Sequence, residues 1–237
     1  MTVRAVIFDW GGTLTPWHDV DLVGQWYAYA VHWDPLHAAP LARRLAQREI
    51  DLWGRHIETS GAQGPGTLDD LFLSEGIDIT SAPHLVALSH YLTMWAPHTI
   101  ADPQAAPLMS ALRERGILVG VLSNTLWPRA HHEEVFARDD LADLIDAAVY
   151  SSDLPVAKPH EEAFREVLDA LGVAAADAVF VGDRLWDDIH GAHLAGMRTI
   201  WIPHSVIPDD QHVRTGTEPD ATAHELADVL GIVDGWR

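Results

Sequence analysis

Cysteine is absent from this 237-residue sequence, which excludes disulfides, zinc–thiolate sites and thiol nucleophiles. Long apolar runs are absent as well. Stretches such as residues 117–122 fall far short of the ~18 to 20 residues that cross a bilayer, so we expect no membrane association. Basic residues are scarce, 15 against 35 acidic ones, and the formal net charge is −20. A surface of this charge would repel a nucleic-acid backbone, so we expect no nucleic-acid partner.

The remaining composition, with 48% hydrophobic and 21% charged residues, is typical of a soluble globular protein. At roughly 150 residues per domain, the length favours one domain with a large insertion or two small domains. The sequence opens on a strand-like run at residues 3–8, without the basic, apolar and small-residue regions of a secretory signal. We therefore expect a cytoplasmic protein.

Five short apolar runs predict buried strands, at residues 3–8, 117–122, 147–150, 178–181 and 199–202. Helical patterns separate these runs along the chain. Near-continuous apolarity, in place of a period-two alternation, is typical of a parallel sheet that helices cover on both faces. The predicted fold class is therefore α/β, with a doubly wound parallel sheet of five strands.

The connection between the first two predicted strands is too long for a single crossover. About a hundred residues separate Phe8 from Ile117, where ~30 complete a β-α-β unit. Residues 17–97 carry apolar positions at helical spacing on both sides of a glycine-rich stretch at 61–66. We predict a helical cap domain over residues 17–97 and a core domain made of residues 1–16 and 98–237. The polar segment 209–221 is expected to form a surface loop before a last helix.

Polar residues at or after the ends of the strands are the candidate site, because ligands bind at the carboxyl ends of strands in doubly wound sheets. They are Asp9, Ser123 with Asn124, Lys158, and Asp183 with Asp188. The three carboxylates would repel one another unless a cation lay between them, and an all-oxygen site of this kind suits Mg²⁺. The Ser123 hydroxyl and the Asn124 amide can donate hydrogen bonds to an anion or cap the next helix. Each of these signals, taken alone, also fits an ordinary turn or cap.

Lys158 is the only lysine of the chain, since the other fourteen basic residues are arginines. A compact ammonium group, unlike a planar guanidinium, can meet several oxygens in a small space. The compositional bias therefore points to a functional role for Lys158. The alternative is a surface lysine before Pro159.

The order and spacing of these residues resemble the haloacid dehalogenase superfamily, whose members carry four motifs on successive strand ends of a Rossmann-like sheet. The motifs here are Asp9 in FDWGGTL, Ser123 in LSN, Lys158 in AKP, and Asp183 with Asp188 in VGDRLWDDIHGA. The resemblance spans nearly all of residues 1–203. The predicted helical insertion is similar to the first cap type, C1, of that superfamily.

The resemblance implies a Mg²⁺-dependent hydrolase that transfers the phosphoryl group of a small phosphorylated metabolite. Asp9 would be the nucleophile that forms an aspartyl phosphate, with Mg²⁺ and Lys158 neutralising the phosphoryl oxygens in the transition state. Ser123 would hydrogen-bond the phosphoryl group. Asp9 and Asp183 would bind the metal, and Asp188 would support it directly or through water.

The sequence departs from the phosphatases of this superfamily at Gly11. Those enzymes carry a second Asp there, which protonates the leaving group and later activates water. The main-chain carbonyl of Gly11 can still bind the metal, but the proton transfer, which contributes typically 10² to 10⁴-fold, has lost its usual residue. His18, Asp19 and Asp21, at the entrance to the predicted cap, are candidate substitutes, with solvated hinge residues as the alternative. A better leaving group, as in an acyl phosphate, would need less help from an acid.

Two other functions stay open. The chain could bind a phosphorylated ligand and turn it over slowly or not at all, with Gly11 as the reason. It could also be a metal-independent haloacid dehalogenase, which the intact pairing of Gly182 with Asp183 disfavours. The phosphonate-cleaving branch is excluded, because its members use a Schiff-base lysine from the cap and residues 17–97 contain no lysine.

Four tryptophans fall within the motif loops, namely Trp10, Trp17, Trp127 and Trp186. Large amphipathic rings suit the wall of an aromatic or apolar substrate pocket and the packing of cap against core equally well. Trp10 and Trp17 thus join Ser123, Asn124 and Lys158 of the motifs as the candidate substrate-binding residues.

Overall fold

The computed structural model describes residues 2–17, 19–205, 213 and 215–237. Within these residues, six strands form one sheet in the order β3-β2-β1-β4-β5-β6, and neighbouring strands are parallel throughout. The strands are β1 (Ala5–Phe8), β2 (Leu118–Ser123), β3 (Ala147–Tyr150), β4 (Ala178–Gly182), β5 (Arg198–Trp201) and β6 (Ala221–Thr222). The prediction of an α/β fold with a parallel sheet is confirmed.

The first five strands lie within two residues of the five predicted runs. The predicted count of five strands was wrong, because β6 pairs with β5 at the sheet edge. Its two residues form no apolar run that could signal a strand. Residues 209–212 and 214 of the predicted loop before it lie outside the described residues, and the last residue of that loop, Ala221, begins β6.

Helices cover both faces of the sheet, because the apolar side chains of each strand alternate between the two faces. Val6 and Phe8 share one face with α5, α6 and α9, whereas Ala5 and Ile7 share the other with α7 and α8. These helices are α5 (Ala105–Glu114), α6 (Arg129–Arg138), α7 (Glu161–Leu171), α8 (Gly191–Leu194) and α9 (Leu226–Gly235). Two buried faces explain why the strands are apolar at nearly every position.

In the described part of the chain between β1 and α5 lie four α-helices, and we call residues 22–95 the four-helix segment. They are α1 (Leu22–Trp33), α2 (Ala38–Glu58), α3 (Leu68–Ser74) and α4 (Ala82–Trp95). Their interior is aromatic: Trp26 stacks on Tyr91 with ring centroids 4.3 Å apart, and Tyr29 stacks on Phe72 at 4.7 Å. No helix in the described part of the chain is long and apolar enough to span a bilayer.

Candidate active site

Three carboxylates and one ammonium group meet at the carboxyl edge of the sheet. Asp9 follows β1 and Asp183 follows β4, which pairs directly with β1, and Asp188 lies in the π-helix Leu185–His190. One oxygen of each carboxylate lies within 4.8 Å of the others. The Lys158 Nζ donates hydrogen bonds to Asp9 Oδ1 at 2.6 Å and to Asp188 Oδ1 at 2.7 Å. The structure therefore brings these four predicted site residues together.

Burial shapes the protonation of this cluster, since none of its side chains is more than 8% exposed. A low-dielectric surrounding disfavours a charged carboxylate. Burial raises the pKa of Asp188 to about 7 against the opposing charge of Lys158, and burial with two neighbouring carboxylates raises the pKa of Asp183 well above its ordinary value. Burial alone would lower the pKa of Lys158, but the charges of Asp188 and Asp9 outweigh it and raise that pKa. Lys158 therefore stays an ammonium group.

The cluster fits a divalent cation. Both carboxylate oxygens of Asp183 are buried and have no hydrogen-bond partner in the described structure. A buried polar group without a partner destabilises the folded protein, so a bound ligand that contacts these oxygens would stabilise it. Three carboxylates face one ammonium, so two negative charges stay uncompensated when all are ionised. Hard oxygen donors of this kind are the ligands that Mg²⁺ prefers.

Two glycines allow the carboxylates to lie this close to the loops. At Gly12, where φ is +99°, an added Cβ would lie 2.3 Å from Asp183 Oδ2, and at Gly182 it would lie 2.4 Å from the Asp188 side chain. The left-handed φ of Gly12 also disfavours any other residue. His204 Nε2 lies 2.9 Å from the Gly12 carbonyl oxygen, and Ser205 donates its hydroxyl to the same oxygen at 2.5 Å. Two consecutive residues after β5 therefore hold the loop after β1.

Ser123 and Asn124 occupy different places around Lys158. Ser123 is the last residue of β2 and its side chain is buried. The Asn124 Oδ1 accepts a hydrogen bond from the Lys158 main-chain N–H, and its Nδ2 donates one to the Lys158 carbonyl, both at 2.9 Å. Asn124 therefore holds the main chain of Lys158, while its role toward a substrate stays a prediction.

Asp19 and Asp21, two of the three candidate substitutes for an acid at position 11, form none of the described contacts of the cluster. His18 lies outside the described residues. Asp19 and Asp21 are exposed, and the Asp21 carboxylate accepts a hydrogen bond from the Gly24 N–H at 3.1 Å as the N-cap of α1. At Gly11 itself, no described heavy atom beyond the chain neighbours lies within 4 Å of the place that a Cβ would take. The space for a side chain at position 11 is therefore open.

Two of the four tryptophans of the motif loops, Trp10 and Trp127, join the four-helix segment to the sheet. Trp10 is 7% exposed, and its ring meets Trp127 edge-on at 5.7 Å and His132 at 4.7 Å. Trp127 in turn contacts Trp95 of α4 at 5.3 Å. Trp17 is half-buried and donates its main-chain N–H to Ser205 Oγ at 2.9 Å. The contacts of Trp10 and Trp127 show a role in packing α4 against the sheet.

His56 is a site residue that the sequence analysis missed. It lies near the end of α2 and is 3% exposed, and its Nε2 lies 3.4 Å from both Asn124 Nδ2 and Asp187 Oδ1. It shares a face of α2 with Leu45 and Leu52, which precede it by eleven and four residues. A histidine at the end of an apolar helical stripe is the signal that could have found it.

The loop after α2 also lies against the segment that carries Lys158. The Ala157 main-chain N–H donates to the Gly61 carbonyl at 2.9 Å, and the Gly64 N–H donates to the Pro155 carbonyl at 3.0 Å. An added Cβ at Gly61 would lie 2.2 Å from the Ala157 carbonyl oxygen, so only glycine permits this approach. The four-helix segment is thus in main-chain contact with residues 155–158, which we call the lysine loop.

Comparison with known proteins decides the family. The model of haloacid dehalogenase-like hydrolases matches residues 3–196. The chain belongs to this family. Among solved structures, a haloacid dehalogenase-family phosphatase from Thermococcus onnurineus superposes with a TM-score of 0.69 at 22% identity, covering 98% of this chain and 99% of that one. A 2-haloacid dehalogenase from Pseudomonas syringae pv. Tomato gives 0.66 at 23% identity, covering both chains completely. The fold of this hydrolase is thus shared by phosphatases and dehalogenases.

Curated relatives of this haloacid dehalogenase-like hydrolase are phosphatases by name. A glyceraldehyde 3-phosphate phosphatase from Methanopyrus kandleri is 27% identical over 98% of this chain and 97% of its own length. A phosphoglycolate phosphatase from Rhodospirillum rubrum is 31% identical over 83% of this chain and 78% of its own length. A phosphoserine phosphatase from Thermus thermophilus is 31% identical over 54% of this chain, which spans 49% of that relative. The substrates in these names differ, so they indicate no single substrate.

Proposed function

We propose that this protein hydrolyses the phosphate ester of a small metabolite and that Asp9 carries the phosphoryl group between the two half-reactions. The observation that supports this most is the cluster itself. A buried carboxylate at a strand end lies 2.6 Å from a buried ammonium group, next to the Asp183 carboxylate, whose oxygens have no partner among the described residues. The phosphatase names of the curated relatives support the same reaction class.

Asp9 and Lys158 perform the first half-reaction. A carboxylate oxygen of Asp9 attacks phosphorus, the new O–P bond forms, and the ester P–O bond breaks with its electron pair staying on the leaving oxygen. The Lys158 ammonium group stabilises the charge on the transferred oxygens in a site from which bulk water is excluded. The Ser123 hydroxyl, buried at the end of β2, would donate to a phosphoryl oxygen. Water then attacks the aspartyl phosphate, which releases phosphate and restores Asp9.

Mg²⁺ is the proposed cofactor. The residues that would hold it are Asp9, Asp183, Asp188 and the main-chain carbonyl of Gly11, with Asp188 binding directly or through water. When bound, Mg²⁺ supplies positive charge that neutralises phosphoryl oxygens. The two uncompensated negative charges of the cluster and the unpartnered oxygens of Asp183 support this ligand set.

We also propose that residues 17–97 form a cap over a core made of residues 1–16 and 98–237. The main-chain contacts of Gly61 and Gly64 with the lysine loop support this division. The leaving group of the substrate would lie between cap and core, where Trp10 and Trp17 offer apolar walls. The proposed ligand is a cytoplasmic metabolite. We propose neither nucleic acid nor a membrane as a partner, in keeping with the net charge of −20.

Trapping of the phosphoenzyme tests this function. The Mg²⁺-loaded protein is mixed with a panel of phosphoesters, quenched in acid and digested, and the modified peptide is located by mass spectrometry. We expect one phosphoryl group on Asp9 that forms and decays during turnover. Asp9→Asn should abolish it, whereas Asp169→Asn, which changes an exposed carboxylate on α7, should leave it unchanged.

Two results would contradict the proposed function. Tight binding of a phosphoester without any phosphoryl group on Asp9 would identify a phospho-ligand-binding protein. Halide release from a 2-haloacid in the absence of Mg²⁺ would identify a dehalogenase instead.

A further inference from the structure

Protonation of the leaving group lacks its usual residue in this hydrolase, because Gly11 carries no side chain. We propose that His56, reaching the site from α2, is the catalytic residue that donates this proton and later accepts one from water. The inference rests on the phosphatase function proposed above. It names the residue that completes that reaction in this chain.

The position of His56 places its ring at the site. Its Nε2 lies 3.4 Å from Asn124 Nδ2, and the Asn124 amide binds the main chain of Lys158 on both sides. The Nζ of Lys158 in turn lies 2.6 Å from the nucleophilic carboxylate of Asp9. The imidazole therefore belongs to the wall that surrounds the lysine, and it comes from the four-helix segment, the side on which the leaving group would lie.

The ring of His56 is held in place but not fully paired. Trp53 meets it edge-on at 5.7 Å, and the Asp187 carboxylate lies 3.4 Å from Nε2. The Nδ1 is buried and has no hydrogen-bond partner in the described structure. An oriented imidazole with a free, buried nitrogen is the arrangement that general acid–base catalysis requires. A buried ring nitrogen left unpaired is costly, and a substrate oxygen would relieve that cost.

The carboxylates of Asp19 and Asp21, just before the four-helix segment, are less suited to this role than His56. Asp21 caps α1 with its carboxylate, and Asp19 is exposed to solvent. His56, by contrast, is 3% exposed and touches two residues of the site wall. Burial against Asn124 and Asp187 is what distinguishes it.

The proton balance closes over one cycle. In the first half-reaction, the imidazolium of His56 gives its proton to the leaving oxygen as the ester P–O bond breaks, so that the alcohol leaves and the ring becomes neutral. In the second, the neutral ring takes a proton from the water whose oxygen bonds to phosphorus, as the bond from phosphorus to Asp9 breaks. Phosphate, the Asp9 carboxylate and the imidazolium result, and no further reactant is needed.

Leaving-group dependence tests the proposal. The single-turnover rate of alcohol or phenol release is measured for propyl phosphate, phenyl phosphate and p-nitrophenyl phosphate, with the wild type and with His56→Gln. We expect a loss of about 10² to 10⁴-fold for propyl phosphate and of less than about 10-fold for p-nitrophenyl phosphate, because nitrophenolate leaves without a proton. The rate of the variant should therefore fall more steeply with the pKa of the leaving group than that of the wild type.

His84→Gln is the matched control. His84 is also buried in the four-helix segment, on α4, where its Nδ1 lies 2.9 Å from the Tyr29 hydroxyl. Its removal should affect all three esters by the same factor. Release of p-nitrophenol shows that a variant is folded. If His56→Gln releases none, His56→Asn is measured in the same way.

Two results would overturn the inference, and they are distinguishable. A phosphoenzyme in the wild type, together with an equal loss for all three esters or no loss in the His56 variants, would remove His56 from proton transfer and leave the proposed function standing. No phosphoenzyme and no release from any ester in the wild type would overturn the proposed function, and this inference with it.

Discussion

Lys158 is a buried ammonium group between two carboxylates, with 1% of its surface exposed. It is at once the electrostatic partner of Asp9, the proposed nucleophile, and the counter-charge of Asp188. The Phe180 ring lies 5.3 Å from its Nζ and limits the space around it. A side chain at this position must therefore combine a full positive charge with a small volume.

Replacement of Lys158 by arginine tests that requirement. The guanidinium keeps the charge, but it is planar and larger, and it cannot occupy the position of one nitrogen between two carboxylate oxygens. We expect Lys158→Arg to lower kcat/KM on a phosphoester by about 10² to 10³-fold, as for loss of one donor to a developing oxyanion. Steady-state kinetics on p-nitrophenyl phosphate measures the effect.

The control for this substitution is the reverse exchange at the surface. Arg165 is exposed on α7 and pairs with Glu161, so Arg165→Lys should retain the wild-type rate. Activity of Lys158→Arg within a few-fold of the wild type would mean that any cation suffices at this position.

At the residue scale, the sequence could place the cluster but not all of its surroundings. Asp9 and Asp183 were predictable because strand ends of a parallel sheet share one edge, and Lys158 because it is the only lysine of the chain. The Asn124 contacts with the Lys158 main chain were not, because they join loops 34 residues apart. His56 was missed for the same reason, since only the docking of α2 brings it to the site.

At the scale of elements, α1 and α2 are joined by a titratable contact. The Trp26 indole N–H on α1 donates to Glu49 Oε2 on α2 at 2.7 Å. Burial raises the pKa of Glu49 to about 7, and the hydrogen bonds from Trp26 and Trp53 only partly oppose this rise. The folded protein therefore binds a proton at Glu49 more tightly than the unfolded chain does.

The stability of this helix pair should depend on pH through Glu49. Because its pKa is higher in the folded state, the stabilising effect of its proton is complete below about pH 4 and is lost as the pH rises through about 7. Glu49→Gln removes the titration and keeps an acceptor for Trp26. We expect the variant to match the wild type near pH 5 and to exceed its free energy of unfolding near pH 8 by at most about 2 to 3 kcal/mol.

Urea denaturation at both pH values measures this difference. Glu58→Gln, at the exposed end of the same helix, should show no comparable change between them. If Glu49→Gln differs from the wild type by the same amount at pH 5 and pH 8, burial of this carboxyl group has no part in the stability of the pair.

The elements themselves differ in how well the sequence predicts them. The strands β1 to β5 follow from apolar runs with helical patterns between them, because burial on both faces demands such runs. The strand β6 has two residues and forms because the chain passes the free edge of β5, which is a tertiary event. No local property of Ala221 or Thr222 distinguishes it from a loop.

At the scale of the molecule, the four-helix segment lies against the sheet edge that carries the cluster. Its contacts run from Trp95 with Trp127 to Gly61 with Ala157. Asp9, Lys158, Asp183 and Asp188, which lie beneath it, are each at most 6% exposed. The proposed function therefore requires the segment and the sheet to separate before a substrate can reach Asp9. Closure afterwards would exclude water and bring His56 to the leaving group.

A crystal structure of the protein with Mg²⁺ and beryllofluoride tests the central claim most directly, because this ligand takes the place of a phosphoryl group on a carboxylate. The account predicts beryllium bonded to a carboxylate oxygen of Asp9, Mg²⁺ in contact with Asp9, the Gly11 carbonyl and Asp183, and the Lys158 ammonium group beside the fluorines. Beryllofluoride bonded to another residue, or Mg²⁺ bound away from Asp183, would contradict it.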